Sequence, residues 1–374
     1  MRRKVFFGFV LIILAAGLAD AQQHWWYTLE QGKRFFANGS YGEALMTFED
    51  ARRERLARFT RMESDMILLL SNPAVRRFGD SLEYVERYIE ENHETAAAEA
   101  LAELYHRLPK DSLKGSVQRV LEELDRQKIY PEAEYWLGEV YRAEGELSLA
   151  FRQYERAFKN RALLENPEFD TEILYKMTDI HRLRREYQEM ERRANEIIEG
   201  LGPSGLPRDE LWANNSSNAR AAMARVLEND GVNRFLTLYR YNNTVTEKAH
   251  RLLGFFFFSS NRYSLAAEHL MFAFLIQNTV LIDEAIRNRF DFTFTSLDEL
   301  MDFAQSKPAL ASYLEETDYF RTIYCLASSL YASSKNRPAR EMWTFLAGNS
   351  AAGEWGTRAR RYPGPFIDRA IEMP

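Results

Sequence analysis

Three stretches of this chain carry the same small and bulky residues at identical spacings. That shared register limits the folds open to it. The first stretch is Gly32, Phe35, Gly39, Tyr41, Ala44, Phe48, Ala51. The second is Gly138, Tyr141, Gly145, Leu147, Ala150, Tyr154, Ala157. The third is Gly254, Phe257, Asn261, Tyr263, Ala266, Leu270, Ala273. Counted from the leading glycine, the offsets are 3, 7, 9, 12, 16 and 19 in each. Residues three and four apart share a helix face. The spacing therefore predicts two helices joined by a tight turn, used at least three times.

Each position has a physical reason. The leading glycine lacks a side chain, so a second helix can approach closely there. The aromatic three residues on fills space beside that contact. Offset 7 is Gly, Gly and Asn, the residues that best tolerate a left-handed backbone and so end a helix. Alanines at offsets 12 and 19 make a thin face on the second helix, with the bulky residue at offset 16 between them.

This pattern resembles the tetratricopeptide repeat family, in an exported type with degenerate repeats. Leu137-Gly138 and Leu253-Gly254 match the family's Leu-Gly pair, whereas Gln31 departs from it. The family's closing proline is absent; Leu56, Ala162 and Asn278 stand there. Two weaker windows fit the same register: Thr178, Tyr187, Met190, Ala194, Ile197, and Ala327, Leu330, Ala339, Trp343, Leu346. The resemblance implies an all-α, helical-hairpin solenoid, in one or two segments, whose hairpins stack because none buries its apolar face alone. It also implies a concave groove lined by the first helices, which in the family binds proteins or peptides. The matching positions include Trp26, Lys33, Phe36, Tyr135, Glu139, Arg142, Arg251, Phe255 and Phe258. Aromatics mixed with Arg and Lys suit partner recognition. Phe255 to Phe258 is a run of four aromatics, so these side chains point all round the helix.

Composition agrees with helix. Only 11 prolines and 18 glycines occur among 374 residues, and Ala, Leu, Glu and Arg are frequent. Phe290 to Thr295 alternates briefly and reads as an extended connector between helices. Asn72-Pro73 and the capping-box spacings Asp80 to Glu83 and Ser296 to Glu299 mark helix starts, and Pro131, Pro167, Pro207 and Pro308 mark other boundaries. The Gly- and Pro-rich run from Gly200 to Pro207 is the clearest break. The expected division is a signal peptide over 1–21, helical repeats over 22–200, a loop or linker over 201–218, and further repeats over 219–374; the break either separates two solenoid segments or is a long loop within one.

The N-terminus reads Met1-Arg2-Arg3-Lys4, then an apolar stretch from Val5 to Ala19, then Ala19-Asp20-Ala21. A basic start, a short apolar core and a small-x-small end describe a secretory signal peptide. The stretch is shorter than the roughly 20 residues a spanning helix needs; an uncleaved anchor is the other reading. Cleavage after Ala21 places Gln22 first. No cysteine follows that site, so lipid attachment by that route is excluded, and no stable membrane anchor is expected after cleavage. The one cysteine, Cys325, sits in an apolar helical context and is expected to be buried. The formal charge of −6 argues against a nucleic-acid partner, which favours a basic face.

No Gly-rich phosphate loop, Gly-x-Ser-x-Gly or His-Glu-x-x-His occurs. Three glutamates precede a histidine by three residues: Glu90 with His93, Glu103 with His106, and Glu247 with His250. Di-iron bundles use two such pairs, but chance and solvated helix faces account for them. The sequence therefore reads as a non-enzymatic interaction scaffold outside the cytoplasm, periplasmic or secreted, with no catalytic residue, metal or cofactor. It would help assemble a cell-envelope complex. A helical substrate- or cell-wall-associated module, a metal-binding enzyme with a closed pocket of convergent carboxylates or histidines, is the alternative.

Overall fold

The computed structural model describes residues 24–71, 117–214 and 217–361. The signal-peptide stretch, Asn72-Pro73, the Asp80 to Glu83 box and the Glu90–His93 and Glu103–His106 pairs lie outside them. The fold is all-α. Among the described residues the only β feature is an isolated bridge between Leu201 and Pro207. The chain forms two compact units, Met1–Ile180 and His181–Pro374.

In the first unit, α1 (Trp25–Ala37) and α2 (Tyr41–Ser71) form a hairpin, as do α4 (Pro131–Ala143) and α5 (Leu147–Lys159). Between them lies α3 (Val117–Gln127), and α6 (Phe169–Leu183) follows them. The division between the units falls within α6. In the second unit, α7 (Tyr187–Glu199), α8 (Glu210–Asn214), α9 (Ser217–Asp230) and α10 (Val232–Leu238) lead to a hairpin of α11 (Thr244–Ser259) and α12 (Tyr263–Asn288). Then come α13 (Leu297–Gln305), α14 (Pro308–Glu316), a hairpin of α15 (Tyr319–Ala332) and α16 (Asn336–Gly348), and α17 (Gly353–Ala359).

The recurring windows are these hairpins. A Cβ added to Gly138 would meet the Tyr154 ring at 2.6 Å, and one at Gly254 would meet Leu270 Cδ2 at 2.5 Å. One at Gly32 would meet Phe48 Cδ1 at 2.5 Å. Each leading glycine thus receives the bulky residue at offset 16, and the alanines at offsets 12 and 19 are fully buried in all three windows. The turn is equally regular. Gly39, Gly145 and Asn261 have φ of 76°, 82° and 59°. The next amide donates back to the offset-3 carbonyl: Ser40 to Phe35 at 2.9 Å, Glu146 to Tyr141 at 2.8 Å, Arg262 to Phe257 at 2.8 Å. That is the Schellman ending, which satisfies carbonyls the helix end would leave unpaired. The two weaker windows repeat it, with Arg185 at φ 61° and Ser334 at φ 65°, and with Glu186 donating to His181 and Lys335 to Leu330.

The missing closing prolines have a structural meaning. At Leu56 and Asn278 the second helix does not stop: α2 runs 31 residues and α12 runs 26. The extension of α2 buries Phe59, Met62 and Met66 in one core with Val120 and Leu124 of α3. Arg55, just before that extension, is buried, bonding the Gln127 carbonyl at 2.8 Å and lying 4.7 Å from the Tyr130 ring centroid. Helix α12 is apolar and long enough to cross a bilayer by length and composition, yet 78% of that stretch is buried in the protein. His269 to Thr279 are buried without interruption, the signature of a helix with neighbours on every side.

Other features match the sequence reading. Pro131 and Pro308 open α4 and α14. Ser296 caps α13, its hydroxyl accepting from the Glu299 amide. Residues 289–296 connect α12 to α13 without a strand, with a turn at Phe290 and Asp291. Cys325 is fully buried. The loop or linker expected over 201–218 is a loop only as far as Asp209, since α8 and α9 begin at Glu210 and Ser217. Gly202 donates to the Leu206 carbonyl at 2.7 Å, Arg208 to Gly200 at 2.9 Å and Asp209 to Ile198 at 3.1 Å. Glycine and proline here build a closed loop inside the second unit.

Candidate functional site

The closed loop delivers Asp209 to the interior of the second unit. Asp209 caps α8, accepting the Trp212 amide on Oδ1 at 2.7 Å. Tyr241 donates its hydroxyl to the same oxygen at 2.8 Å, and Thr246 donates to Oδ2 at 2.9 Å. His250 Nε2 lies 3.1 Å from Oδ2. On the far side of that ring, Nδ1 lies 3.0 Å from Nδ1 of His269 on α12. Asp209 and His250 are fully buried and His269 nearly so. The Trp212 indole stacks on His269, with centroids 4.4 Å apart, and Phe272 stacks on His250 at 5.1 Å.

Burial alone would raise the Asp209 pKa. The hydrogen bond and charge of His250, with the Trp212 amide and Tyr241 hydroxyl, outweigh it and hold the carboxyl below its usual range. Burial, the adjacent His250 and then Arg220 push His269 well below an ordinary histidine. Four donors on one carboxylate satisfy a buried charge. The sequence hides this cluster, because its members lie 41 and 19 residues apart. The one local clue is an aspartate three residues before Trp212, the spacing of a helix cap.

A second network begins one turn earlier on α11. Glu247 accepts from Arg251 Nε at 3.0 Å and from Gln277 Nε2 at 2.7 Å. Arg251 also reaches Asp318 at 2.6 Å. Burial raises the Glu247 pKa despite the Arg251 charge. Glu247 and His250 therefore bond different partners. Among the described residues no group of three His, Cys, Asp or Glu side chains is placed to hold a metal ion.

The expected groove residues divide. In the first unit Trp26 is half exposed and stacks on His24. Lys33 Nζ lies 5.6 Å from the Trp136 ring, and half-buried Phe36 meets the edge of that ring. Arg142 reaches the surface and pairs with Glu139 at 3.5 Å. Tyr135 and Glu139 are corrections: both are buried. Phe169 covers Tyr135, with centroids 4.6 Å apart. Glu139 takes Lys176 at 3.0 Å and the Tyr154 hydroxyl, tying α4, α5 and α6 together. In the second unit Arg251 is held in its ion pairs. Phe255 and Phe258 are also corrections, being buried at 3% and 4% exposure. Arg321 of α15 lies over Phe255 at 4.6 Å. Of the four aromatics only Phe256 is partly exposed, and Tyr187 stacks on it. Tyr135, Glu139, Phe255 and Phe258 cannot line an open groove, because side chains of packed neighbouring helices cover them.

An open cleft of 680 Å³ lies elsewhere in the second unit. The last two turns of α12 form one wall, with Asp283, Glu284 and Arg287. The start of α14 forms another, with Lys307, Leu310 and Tyr313. Two acids and two bases thus surround an apolar floor.

No protein-family model matches the chain. An uncharacterized protein of Treponema pallidum is 24% identical over 337 residues, covering 89% of this chain and 88% of that protein. An uncharacterized protein of Borreliella burgdorferi is 23% identical over 239 residues, covering 60% of this chain and 73% of that protein. The first of these likenesses is long enough to take in both compact units.

Proposed function

We propose that the chain is an exported, non-enzymatic scaffold of tetratricopeptide type, whose stacked hairpins bind a protein or peptide partner in assembling an envelope complex. The observation that supports this reading is the glycine-to-offset-16 contact with its Schellman turn, built the same way in both units. Such hairpins present side chains on rigid helices, which suits recognition rather than chemistry. The polar clusters of the second unit are buried, so they are not presented to a partner. Surface candidates for the partner are Trp26, Lys33, Phe36 and Arg142 in the first unit, and the Arg287–Lys307 cleft in the second. The N-terminal basic-apolar-small pattern supports export.

The test is comparative capture from the native envelope with mature protein. One variant carries Trp26→Ala, Lys33→Ala and Arg142→Ala; another carries Arg287→Glu and Lys307→Glu. One of the two should lose a partner that the parent retains. Capture unchanged in both, with helicity and unfolding midpoint intact, would refute the scaffold surfaces named. Intact-mass analysis of the envelope form should give a chain starting at Gln22. Recovery of the full chain in the cytoplasm alone would refute export.

A further inference from the structure

The His250–His269 contact has room for a single proton between its two Nδ1 atoms. His250 Nε2 faces a carboxylate, so it carries hydrogen and donates to Asp209. Between the two Nδ1 atoms, 3.0 Å apart, there is room for one proton. If it sits on His250, that ring is a cation paired with Asp209, and His269 is neutral and accepts; if it sits on His269, both rings are neutral and His250 accepts. Making both rings cationic would set two N–H groups, and two positive rings, against each other.

The surroundings offer that extra charge no relief. From the loop and α8 come Asp209, whose four donors already occupy it, and Trp212. From α9 comes Arg220, 4.4 Å from the Trp212 ring, with Glu268 of α12 at 3.9 Å from it. The connector before α11 supplies Tyr241, bonded to Asp209. Helix α11 supplies Glu247, engaged by Arg251 and Gln277. Arg262 lies over Phe257, which packs on His269, and pairs with Glu191 of α7 at 3.6 Å.

We propose that Asp209, His250 and His269 form an acid-sensitive latch. Protonation of both imidazoles drives the rings apart and releases the 200–214 segment from the α11–α12 hairpin. The segment is suited to release. It is a short loop and a five-residue helix, and its buried anchors are Asp209 and Trp212, both of which belong to the cluster. The device goes beyond scaffolding, since it makes the second unit respond to external pH.

The test is hydrogen exchange of the full mature chain between pH 7.5 and 4.5, corrected for intrinsic exchange rates. Peptides covering 200–214 are compared with peptides of α4 and α5. Opening linked to one proton should grow about tenfold per pH unit below the histidine range. It should appear in 200–214 before it appears in the first unit. His269→Gln, which keeps a polar group without titrating, should flatten that rise. An equal rise in the variant, or no rise in the parent down to pH 4.5, overturns the proposal. A ¹⁵N-histidine titration of the parent supplies a readout that needs no variant. Protonation of His269 must coincide with loss of protection in 200–214, and protonation without that loss also overturns the latch.

Discussion

Replacing Gly254 by alanine tests whether the recurring glycine is there for close approach. The new methyl would stand 2.5 Å from Leu270 Cδ2 and 3.3 Å from the Leu270 amide nitrogen. Carbon atoms pack at about 3.5–4.0 Å, so Leu270 or the helix must move by about 1 Å. Leu270 is fully buried between Ala266 and Ala273, and overpacking of such a site costs about 1–3 kcal/mol. Against this, alanine gains about 1 kcal/mol of helix propensity. The net effect is a destabilisation of roughly 0–2 kcal/mol. Leu270→Ala by itself should cost about 2–5 kcal/mol. In that background the side-chain clash is gone, only the 3.3 Å approach to the backbone nitrogen remains, and the hole is open, so Gly254→Ala should now stabilise by about 1 kcal/mol. The sign of one substitution thus depends on its partner. Urea unfolding followed by far-UV circular dichroism, with exchange of α11 peptides assigning the transition to the second unit, measures the cycle. Equal effects in the two backgrounds, within about 0.5 kcal/mol, would refute the close-approach explanation.

Asp209→Ala strips one acceptor from four buried donors, each loss worth about 1–3 kcal/mol. The second unit should lose cooperative unfolding, and Asp209→Asn should lose less. The folded pKa of Asp209 is depressed, as is that of His269. Their stabilisation is therefore complete above the unfolded values, about 6.5 for histidine, and lost as pH falls toward the folded ones. Unfolding midpoints should decline first from the histidine range, then more steeply below the carboxylate range; a flat profile between pH 7 and 4 would contradict this. Ser334, exposed with φ of 65°, should accept glycine with a gain of up to about 1 kcal/mol, read as a raised urea midpoint. Burial pushes the Cys325 thiol up to about 12. Maleimide labelling at pH 8 should therefore be negligible in the folded chain and rapid in urea; rapid labelling of the folded form would place the thiol outside the core.

What was legible in the sequence was whatever a short stretch must satisfy by itself. A left-handed residue, a glycine under a bulky side chain and a thin alanine face all fall within about 20 residues, and all three hairpins appeared with their turns in place. The lengths of α2 and α12 were not legible, because a helix continues wherever nothing stops it; Leu56 and Asn278 marked an absence, and the absence meant continuation. Tyr135, Glu139, Phe255 and Phe258 were assigned to a surface for a related reason. Position within a hairpin selects a face, but only the neighbouring helices decide whether that face stays open. Phe169 and Arg321 do the covering, and no local pattern announces them. The loop at 200–209 shows the limit most sharply. Its glycines and prolines carry the composition of a linker, yet its amides close on one another and turn Asp209 inward. A linker and a clamp use the same residues, since both need backbone shapes that other residues avoid. They differ in what the chain meets at the end of the turn, and here it meets two histidines supplied by a hairpin that the sequence had already disclosed.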